Sequence, residues 1–131
     1  MRVLVTGGAG FIGTHTCLAL IEKGYEVIVL ESFVNSHENS LKRISKIINF
    51  KKDTKIEIFK ADIRDKEMLE KLFLKSKKAN NPITAVLHFA GLKCVEESIK
   101  NPILYWDVNF NGSLNLLRTM DKFDCKIIVF S

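Results

Sequence analysis

Cysteine is scarce in this sequence, and its three copies lie far apart. Cys17, Cys94 and Cys125 form no C-x-x-C pair, and no cysteine or histidine follows at zinc-ligand spacing. Disulfide frameworks and structural zinc sites both need such clusters. The sequence therefore argues against a disulfide-rich scaffold and a metal centre, and we expect three free thiols.

Long hydrophobic runs are also missing. No apolar stretch approaches the roughly 20 residues of a membrane span. The opening MRVLVTGGAG has too short an apolar run for a secretory signal peptide. There are two prolines, and no repeat or low-complexity tract interrupts the 131 residues. We therefore expect one folded cytoplasmic domain, 1–131, with no membrane partner.

Positive charge is concentrated in one part of the chain. The net charge is +5, and residues 41–80 hold 13 Lys and Arg against six Asp and Glu. No nucleic-acid-reading motif or interleaved aromatic residue accompanies this charge. We predict a solvated basic surface that can attract an anionic nucleotide, and no nucleic-acid partner.

Short apolar runs alternate with segments of helical spacing. The runs are rich in Val, Ile or Phe, and most lack strict alternation, as in strands buried on both faces. The predicted strands are 3–5, 27–30, 56–59, 85–88 and 127–130, and the predicted helices are 11–23, 38–50, 66–78 and 102–120. We place Gly24 at a helix C-cap, Asp65 at an N-cap and Pro102 in a first turn. The alternation predicts an α/β fold with a doubly wound parallel sheet of five strands, the Rossmann type.

A glycine-rich turn, TGGAGFIG, follows the first strand directly. It satisfies Gly8-x-Gly10-x-x-Gly13 and also Gly7-x-x-Gly10-x-x-Gly13. Glycine there allows a tight turn, close backbone approach to a pyrophosphate, and close helix–strand packing. The turn therefore predicts a dinucleotide held at a helix N-terminus, and Thr6 is expected to hydrogen-bond within it.

Acidic residues end the next two predicted strands. Glu31 lies 18 residues after Gly13, where a carboxylate accepts from ribose hydroxyls and repels a 2′-phosphate, favouring NAD over NADP. Asp62 is predicted to accept from the adenine amino group, with Ile63 against the ring. The alternative is that Asp62 only caps its own turn.

Two longer strings resemble a known family. VTGGAGFIGTHTCLALIEKGYEVIVLESF (5–33) resembles the extended short-chain dehydrogenases/reductases. HFAGLKCVEESIKNPILYWDVNFNGSLNLL (88–117) resembles the UDP-glucose 4-epimerases among them. The resemblance covers essentially the whole chain and implies bound NAD, a UDP-sugar substrate and a homodimer.

The resemblance also implies a set of site residues. For NAD they are Gly7, Gly10, Phe11, Ile12, Gly13, Glu31, Ser32, Phe33, Val34, Asn35, Ser36, Asp62, Ile63, Phe89, Ala90, Gly91, Leu92, Lys93 and Asn109. For the substrate they are Lys93, Cys94 and Val95. The chain departs from the family at Glu31–Ser32, where aspartate and asparagine are usual, and at Cys94 and Glu96, where alanine and glycine are usual.

The proton-transfer residues of the family have no match. The family uses a serine and Tyr-x-x-x-Lys, whereas Tyr25 and Tyr105 are followed four residues later by Val29 and Asn109. We therefore expect no catalytic residue in this chain. We place those residues and the substrate domain beyond Ser131, so that 1–131 is expected to be an incomplete NAD-binding domain. Tyr105 is expected to position its helix, and His88, at a strand end, to be satisfied by hydrogen bonds.

The sequence is compatible with three functions. The first is the NAD-binding part of a UDP-glucose 4-epimerase, inactive alone. The second is a non-catalytic NAD-binding sensor or interaction module. The third is another sugar-nucleotide enzyme, such as a 4,6-dehydratase, which would differ in its acid and base residues.

Overall fold

Five parallel strands form one sheet in the computed structural model, which describes residues 1–49 and 56–131, with only the backbone of 48 and 49. The strands are β1 Arg2–Thr6, β2 Glu26–Glu31, β3 Glu57–Lys60, β4 Ile83–His88 and β5 Ile127–Phe130. Their order is β3-β2-β1-β4-β5, and every pair is parallel. The predicted doubly wound sheet is confirmed, with its switch point between β1 and β4.

Helices connect the strands and cover both faces. They are α1 Phe11–Glu22, α2 Glu38–Asn49, α3 Lys66–Lys78, α4 Val95–Lys100, α5 Pro102–Tyr105 and α6 Gly112–Lys122, with a π-helical turn at Trp106–Asn111. The end of the predicted second helix, residue 50, lies outside the described residues. The predicted single helix 102–120 was wrong in one respect, because the π turn separates α5 from α6. Helix α4 was not predicted.

The central strand β1 contributes side chains to two hydrophobic cores, one on each face of the sheet. Leu4 points to the face covered by α3 and α6, where it packs with Leu69 and Leu116. Val5 points to the opposite face, against Cys17 of α1 and other buried residues. Alternating residues of one strand thus serve both layers, and each fully buried side chain of this kind contributes about 2 kcal/mol.

All three predicted helix ends are confirmed, and Pro102 is the first residue of α5. Gly24 has φ +83° and donates its N–H to the Ile21 carbonyl at 2.9 Å, as a residue just past a helix end does. Asp65 caps α3 by accepting the Met68 N–H at 2.9 Å. These caps fix where α1 turns towards β2 and where α3 leaves the loop after β3.

Candidate functional site

A cleft of about 380 Å³ opens at the carboxyl ends of the strands, where the sheet order reverses. It lies where ligands bind in doubly wound sheets. Most of the residues predicted for the site line it together: Gly7, Gly10, Phe11, Ile12, Gly13, Glu31, Ser32, Val34, Asn35, Ser36, Asp62, Ile63, Phe89, Ala90, Gly91, Leu92 and Lys93. The other four, Phe33, Cys94, Val95 and Asn109, lie outside the lining.

The glycine turn is crowded on its protein side. Gly7 has φ +68°, and a Cβ there would lie 2.6 Å from the backbone nitrogen of Ala90. A Cβ on Gly13 would collide with the carbonyl oxygen of Gly7. A Cβ on Gly10 would meet only that same oxygen, at 3.3 Å. The turn therefore packs tightly against the β4 loop and α1 while its Gly10 side stays open.

Helix α1 begins at this turn and directs its first amides into the cleft. The N–H of Thr14 is bonded to the Gly10 carbonyl at 2.9 Å, so the amides of Phe11, Ile12 and Gly13 precede the first helical bond. Within the described part of the chain, no side chain caps this end and no acid lies in the first turn. Such an end suits an anionic group.

Glu31 is the acidic residue at the end of β2, and it is only 5% exposed. One carboxylate oxygen accepts the Ala9 N–H at 3.1 Å. The other accepts the N–H groups of Ser32 and Phe33 at 3.0 and 3.2 Å. The carboxylate therefore ties the glycine turn to the loop after β2 and still borders the cleft.

Asp62 lies at the start of the loop after β3 and is paired with Arg64. Its Oδ1 accepts the backbone N–H of Arg64 at 2.8 Å, which is the expected turn cap, and also Nε at 3.0 Å. Its Oδ2 accepts Nη2 at 2.8 Å. Hydrogen bonding from Arg64 lowers the pKa of Asp62. Asp62 thus caps its turn and presents an ionised carboxylate at the cleft.

His88 ends β4 and is buried between two hydroxyl groups. Its Nδ1 lies 2.6 Å from Thr6 Oγ1, and its Nε2 lies 2.9 Å from Ser113 Oγ. Burial lowers the pKa of His88 to about 4, with a further contribution from the positive charge of Lys93. The expectation that hydrogen bonds satisfy His88 is confirmed. Thr6 was expected to bond within the glycine turn, but its hydroxyl instead joins β4 and accepts the Ala90 N–H at 3.3 Å.

Lys93 borders the other end of the cleft, and Asn109 lies behind the loop that carries it. Lys93 is exposed, and its Nζ donates to the Ser131 carbonyl at 3.3 Å. Asn109 holds the backbone of Leu92 from behind: Oδ1 accepts its N–H at 2.8 Å and Nδ2 donates to its carbonyl at 3.0 Å. The path of the loop after β4 is therefore fixed by Asn109.

Tyr105 holds the start of α4. Its hydroxyl accepts the Cys94 N–H at 3.1 Å and donates to Glu97 at 2.8 Å. Desolvation and the bond to Glu97 raise the pKa of Tyr105, so its hydroxyl stays protonated and is not available as a base. The structural role expected for Tyr105 fits this arrangement. Cys94 is the N-cap residue of α4, and Val95 begins the helix with its side chain exposed.

Phe33 adopts φ +59° and packs away from the cleft against the core on the α1 side. Sequence reasoning also missed some residues that line the cleft: Leu30, Ala61, Arg64, Glu97, Leu104, Val108 and Ser131. Arg64 could have been found, because it follows Asp62 by two residues at a strand's carboxyl end. Leu104 and Val108 come from α5 and the π turn after β4, and only the fold brings them to the cleft.

No helix among residues 1–49 and 56–131 is long and apolar enough to cross a membrane. Nor do His, Cys, Asp and Glu come together in threes there, in a geometry that could hold a metal ion.

Comparison with known proteins places the chain in a family. The family model described as GDP-mannose 4,6 dehydratase matches residues 4–131. The UDP-glucose 4-epimerase of Bacillus subtilis is 44% identical over all of this chain, which covers 36% of that protein. A bifunctional UDP-glucose 4-epimerase and UDP-xylose 4-epimerase of Pisum sativum is 45% identical over 99% of the chain, again 36% of its own length.

Solved structures give the same result. The UDP-glucose 4-epimerase of Bifidobacterium longum, in complex with NAD+ and UDP, superposes with a TM-score of 0.89 at 43% identity, covering 100% of this chain and 36% of that one. The enzyme from Stenotrophomonas maltophila, with bound NAD and formylated UDP-arabinopyranose, gives 0.88 at 41% identity, covering 99% and 36%. The chain spans about a third of the length of these relatives. The predicted resemblance is confirmed: the chain belongs to the family that the GDP-mannose 4,6 dehydratase model describes, the extended short-chain dehydrogenases/reductases, and resembles the UDP-glucose 4-epimerases within it.

Proposed function

We propose that this chain is the NAD-binding part of an enzyme that interconverts UDP-galactose and UDP-glucose by epimerisation at C4. The observation that carries the proposal is that the buried Glu31, at the end of β2, accepts the Ala9 N–H of the glycine turn after β1. The glycine turn would hold the pyrophosphate and Glu31 the adenosine ribose, and the two lie side by side as a dinucleotide requires.

The residues present fit NAD. The glycine turn is full on its protein side and open at Gly10, so a diphosphate can lie on the α1 amides. Phe11 is 83% exposed and Ile12 is 53% exposed, and both line the cleft, so a bound cofactor would cover apolar surface that is now in water.

We assign the remaining contacts along the cleft in the order of its loops. The loop 31–36 would hold the adenosine ribose, Asp62 and Ile63 the adenine ring, and the loop 89–93 the nicotinamide side, with Asn109 behind it. Lys93, a point charge with three donors, would reach the ribose hydroxyls or phosphate. The UDP-sugar would border Lys93, Cys94 and Val95. Glu96, where the family usually has glycine, places a negative charge near an anionic substrate and would weaken its affinity.

When bound, NAD would supply the redox chemistry, by accepting a hydride from C4 of the sugar and returning it to the other face. The residues of this chain bind and orient the cofactor. Proton transfer requires other residues, because Tyr-x-x-x-Lys does not occur in these 131 residues and Tyr105 is held by Cys94 and Glu97. We therefore assign the acid–base step to residues that these 131 do not include, and propose that this chain is inactive alone.

We further propose a cytoplasmic homodimer that acts in galactose metabolism. The three free cysteines, two of them buried, are typical of a reducing compartment.

An epimerase assay on the gene product purified from its own cells tests the proposed function. Conversion of UDP-galactose to UDP-glucose without net consumption of NAD would support it.

The family model keeps a 4,6-dehydratase as the second candidate. The same assay separates the two, because a dehydratase releases a 4-keto-6-deoxy sugar nucleotide instead of the epimer. Binding of NAD with neither product would favour a non-catalytic NAD-binding module.

A further inference from the structure

The π turn between α5 and α6 touches two separate loops of the cleft. Its Asp107 accepts Nη1 of Arg64 at 2.9 Å, in the loop after β3. Its Asn109 makes two hydrogen bonds to the backbone of Leu92, in the loop after β4. Residues two positions apart on a helix point in roughly opposite directions, so this turn lies between the two loops. Turns of π helix are rare and are frequent at functional sites.

Arg64 connects two carboxylates. Its Nε and Nη2 form a fork on Asp62, at 3.0 and 2.8 Å, and its Nη1 reaches Asp107. Asp107 is itself held by Asn111, whose Nδ2 donates to the second carboxylate oxygen at 3.0 Å. Because the guanidinium is planar, fixing Nη1 on Asp107 also fixes the plane of the fork. The orientation of the Asp62 carboxylate therefore depends on Asp107.

The fork leaves Asp62 with one acceptor direction. A carboxylate offers about four lone-pair directions. Oδ1 uses two of them for the backbone N–H and Nε of Arg64, and Oδ2 uses one for Nη2. The remaining direction belongs to Oδ2. A donor in the cleft would therefore meet one oriented acceptor.

Two further contacts hold the same loop against the same helix. Asn115 Nδ2 donates to the Arg64 carbonyl at 3.1 Å. A Cβ on Gly112 would collide with Ile63 Cγ2, so only glycine lets α6 approach the loop this closely. The Arg64 carbonyl and the Ile63 side chain thus hold the loop after β3 against α6, and the Arg64 guanidinium holds it against the π turn.

We infer that Asp107 is a positioning residue for the adenine end of the dinucleotide. It acts through Arg64, which orients the Asp62 carboxylate to accept a hydrogen bond from the adenine amino group. The identity of the ligand rests on the proposed function. Asp107 does not line the cleft and needs no contact with the ligand. Its effect passes through Arg64 to the Asp62 carboxylate, so we expect it to be largest for a ligand that has a donor at the adenine 6-position.

A ligand pair tests this specificity. NAD carries the 6-amino donor, and nicotinamide hypoxanthine dinucleotide carries an oxygen in its place. We expect Asp107→Asn to reduce the preference for NAD over the hypoxanthine analogue by about tenfold, the effect of losing one charged hydrogen bond. Arg64→Lys keeps the charge but loses the fork, so it should reduce the preference similarly.

The matched control is Glu70→Gln. Glu70 accepts Lys122 Nζ at 2.7 Å and ties α3 to α6 away from the cleft. We expect this variant to keep the preference of the original chain. An unchanged preference in Asp107→Asn, or an equal loss of affinity for both dinucleotides, would overturn the inference.

Amide hydrogen exchange of the ligand-free chain separates this inference from the proposed function. The Arg64 N–H is bonded to Asp62 and should exchange several-fold faster in Asp107→Asn, with no such change in Glu70→Gln. If the chain binds neither dinucleotide, the proposed function fails, and unchanged exchange at Arg64 would then also reject the role of Asp107.

Discussion

The carboxylate of Glu31 accepts the backbone N–H of Ala9 at 3.1 Å and thereby joins the end of β2 to the glycine turn after β1. Its other oxygen holds the first two amides of the loop after β2. Three of about four acceptor directions are therefore used by the protein. One direction remains for a ribose hydroxyl, so this side chain combines a structural role with the proposed role in binding.

Replacing Glu31 with glutamine tests both roles. The amide has one acceptor oxygen and would place a donor group opposite a backbone N–H. We expect the free energy of unfolding in urea to fall by about 2 kcal/mol, because charged hydrogen bonds to a buried group are lost. We expect NAD to bind about tenfold more weakly. The surface substitution Glu67→Gln should change stability by less than about 0.5 kcal/mol. Equal stability of the two variants would contradict this account of Glu31.

Gly7 and Gly24 form a matched pair for testing the glycine turn. Both have positive φ, +68° and +83°, so alanine strains the backbone at either position. A Cβ at Gly24 meets nothing within 4 Å among the described residues, whereas a Cβ at Gly7 meets the Ala90 nitrogen at 2.6 Å. We expect Gly24→Ala to cost about 1 kcal/mol and leave NAD affinity unchanged. Gly7→Ala should cost about 1–3 kcal/mol more and weaken NAD binding, measured by urea unfolding and titration. Equal effects would show that the close approach to Ala90 is unimportant.

Because His88 is buried, we expect the folded chain to lose stability in acid. Its pKa is lowered from 6.5 to about 4 in the folded chain. Between these values the unfolded chain binds a proton that the folded chain does not, so unfolding becomes easier as the pH falls. We expect the free energy of unfolding to drop by up to about 3 kcal/mol from pH 7 to pH 4 on this account.

The variant His88→Asn isolates this contribution. It should be less stable at pH 7 but should show a shallower decline with acid. His37→Asn, a substitution in an exposed loop, should keep the original slope. An unchanged slope in His88→Asn would rule out His88 as the titrating group.

Replacing Lys93 should change the affinity for NAD without changing the fold. Its exposed ammonium borders the cleft, so Lys93→Ala should weaken NAD binding by about tenfold, equivalent to about 1.4 kcal/mol. Lys100 pairs with Glu96 at 2.6 Å on α4, away from the lining, and Lys100→Ala serves as the control. Isothermal titration of both variants makes the comparison. Unchanged affinity in Lys93→Ala would remove Lys93 from the proposed site.

The order of strands and helices could be predicted because burial leaves a clear pattern. β1 and β2 are almost fully buried runs, and the Gly24 and Asp65 caps use the residue types that helix ends favour. Helix α4 escaped prediction because it has only six residues and buries none of them, so it shows no core-facing apolar pattern. The π turn escaped because hydrophobic spacing cannot show one extra residue in a turn.

The site could be predicted where the chain itself specifies it. The glycine turn and Glu31 have fixed spacing, so the sequence alone indicates their proximity. Leu104 and Val108 reach the cleft only because the helices after β4 fold over the loop after β3. Phe33 was predicted among its neighbours in the loop, but its positive φ turns the ring towards the core. Such reversals depend on backbone conformation and not on spacing.

Calorimetric titration of the 131-residue chain with NAD and with NADP asks whether these residues hold the dinucleotide on their own. We expect saturable 1:1 binding of NAD, with NADP at least about tenfold weaker because the Glu31 carboxylate opposes a 2′-phosphate. The absence of saturable NAD binding by the folded chain, or tighter binding of NADP, would contradict this expectation.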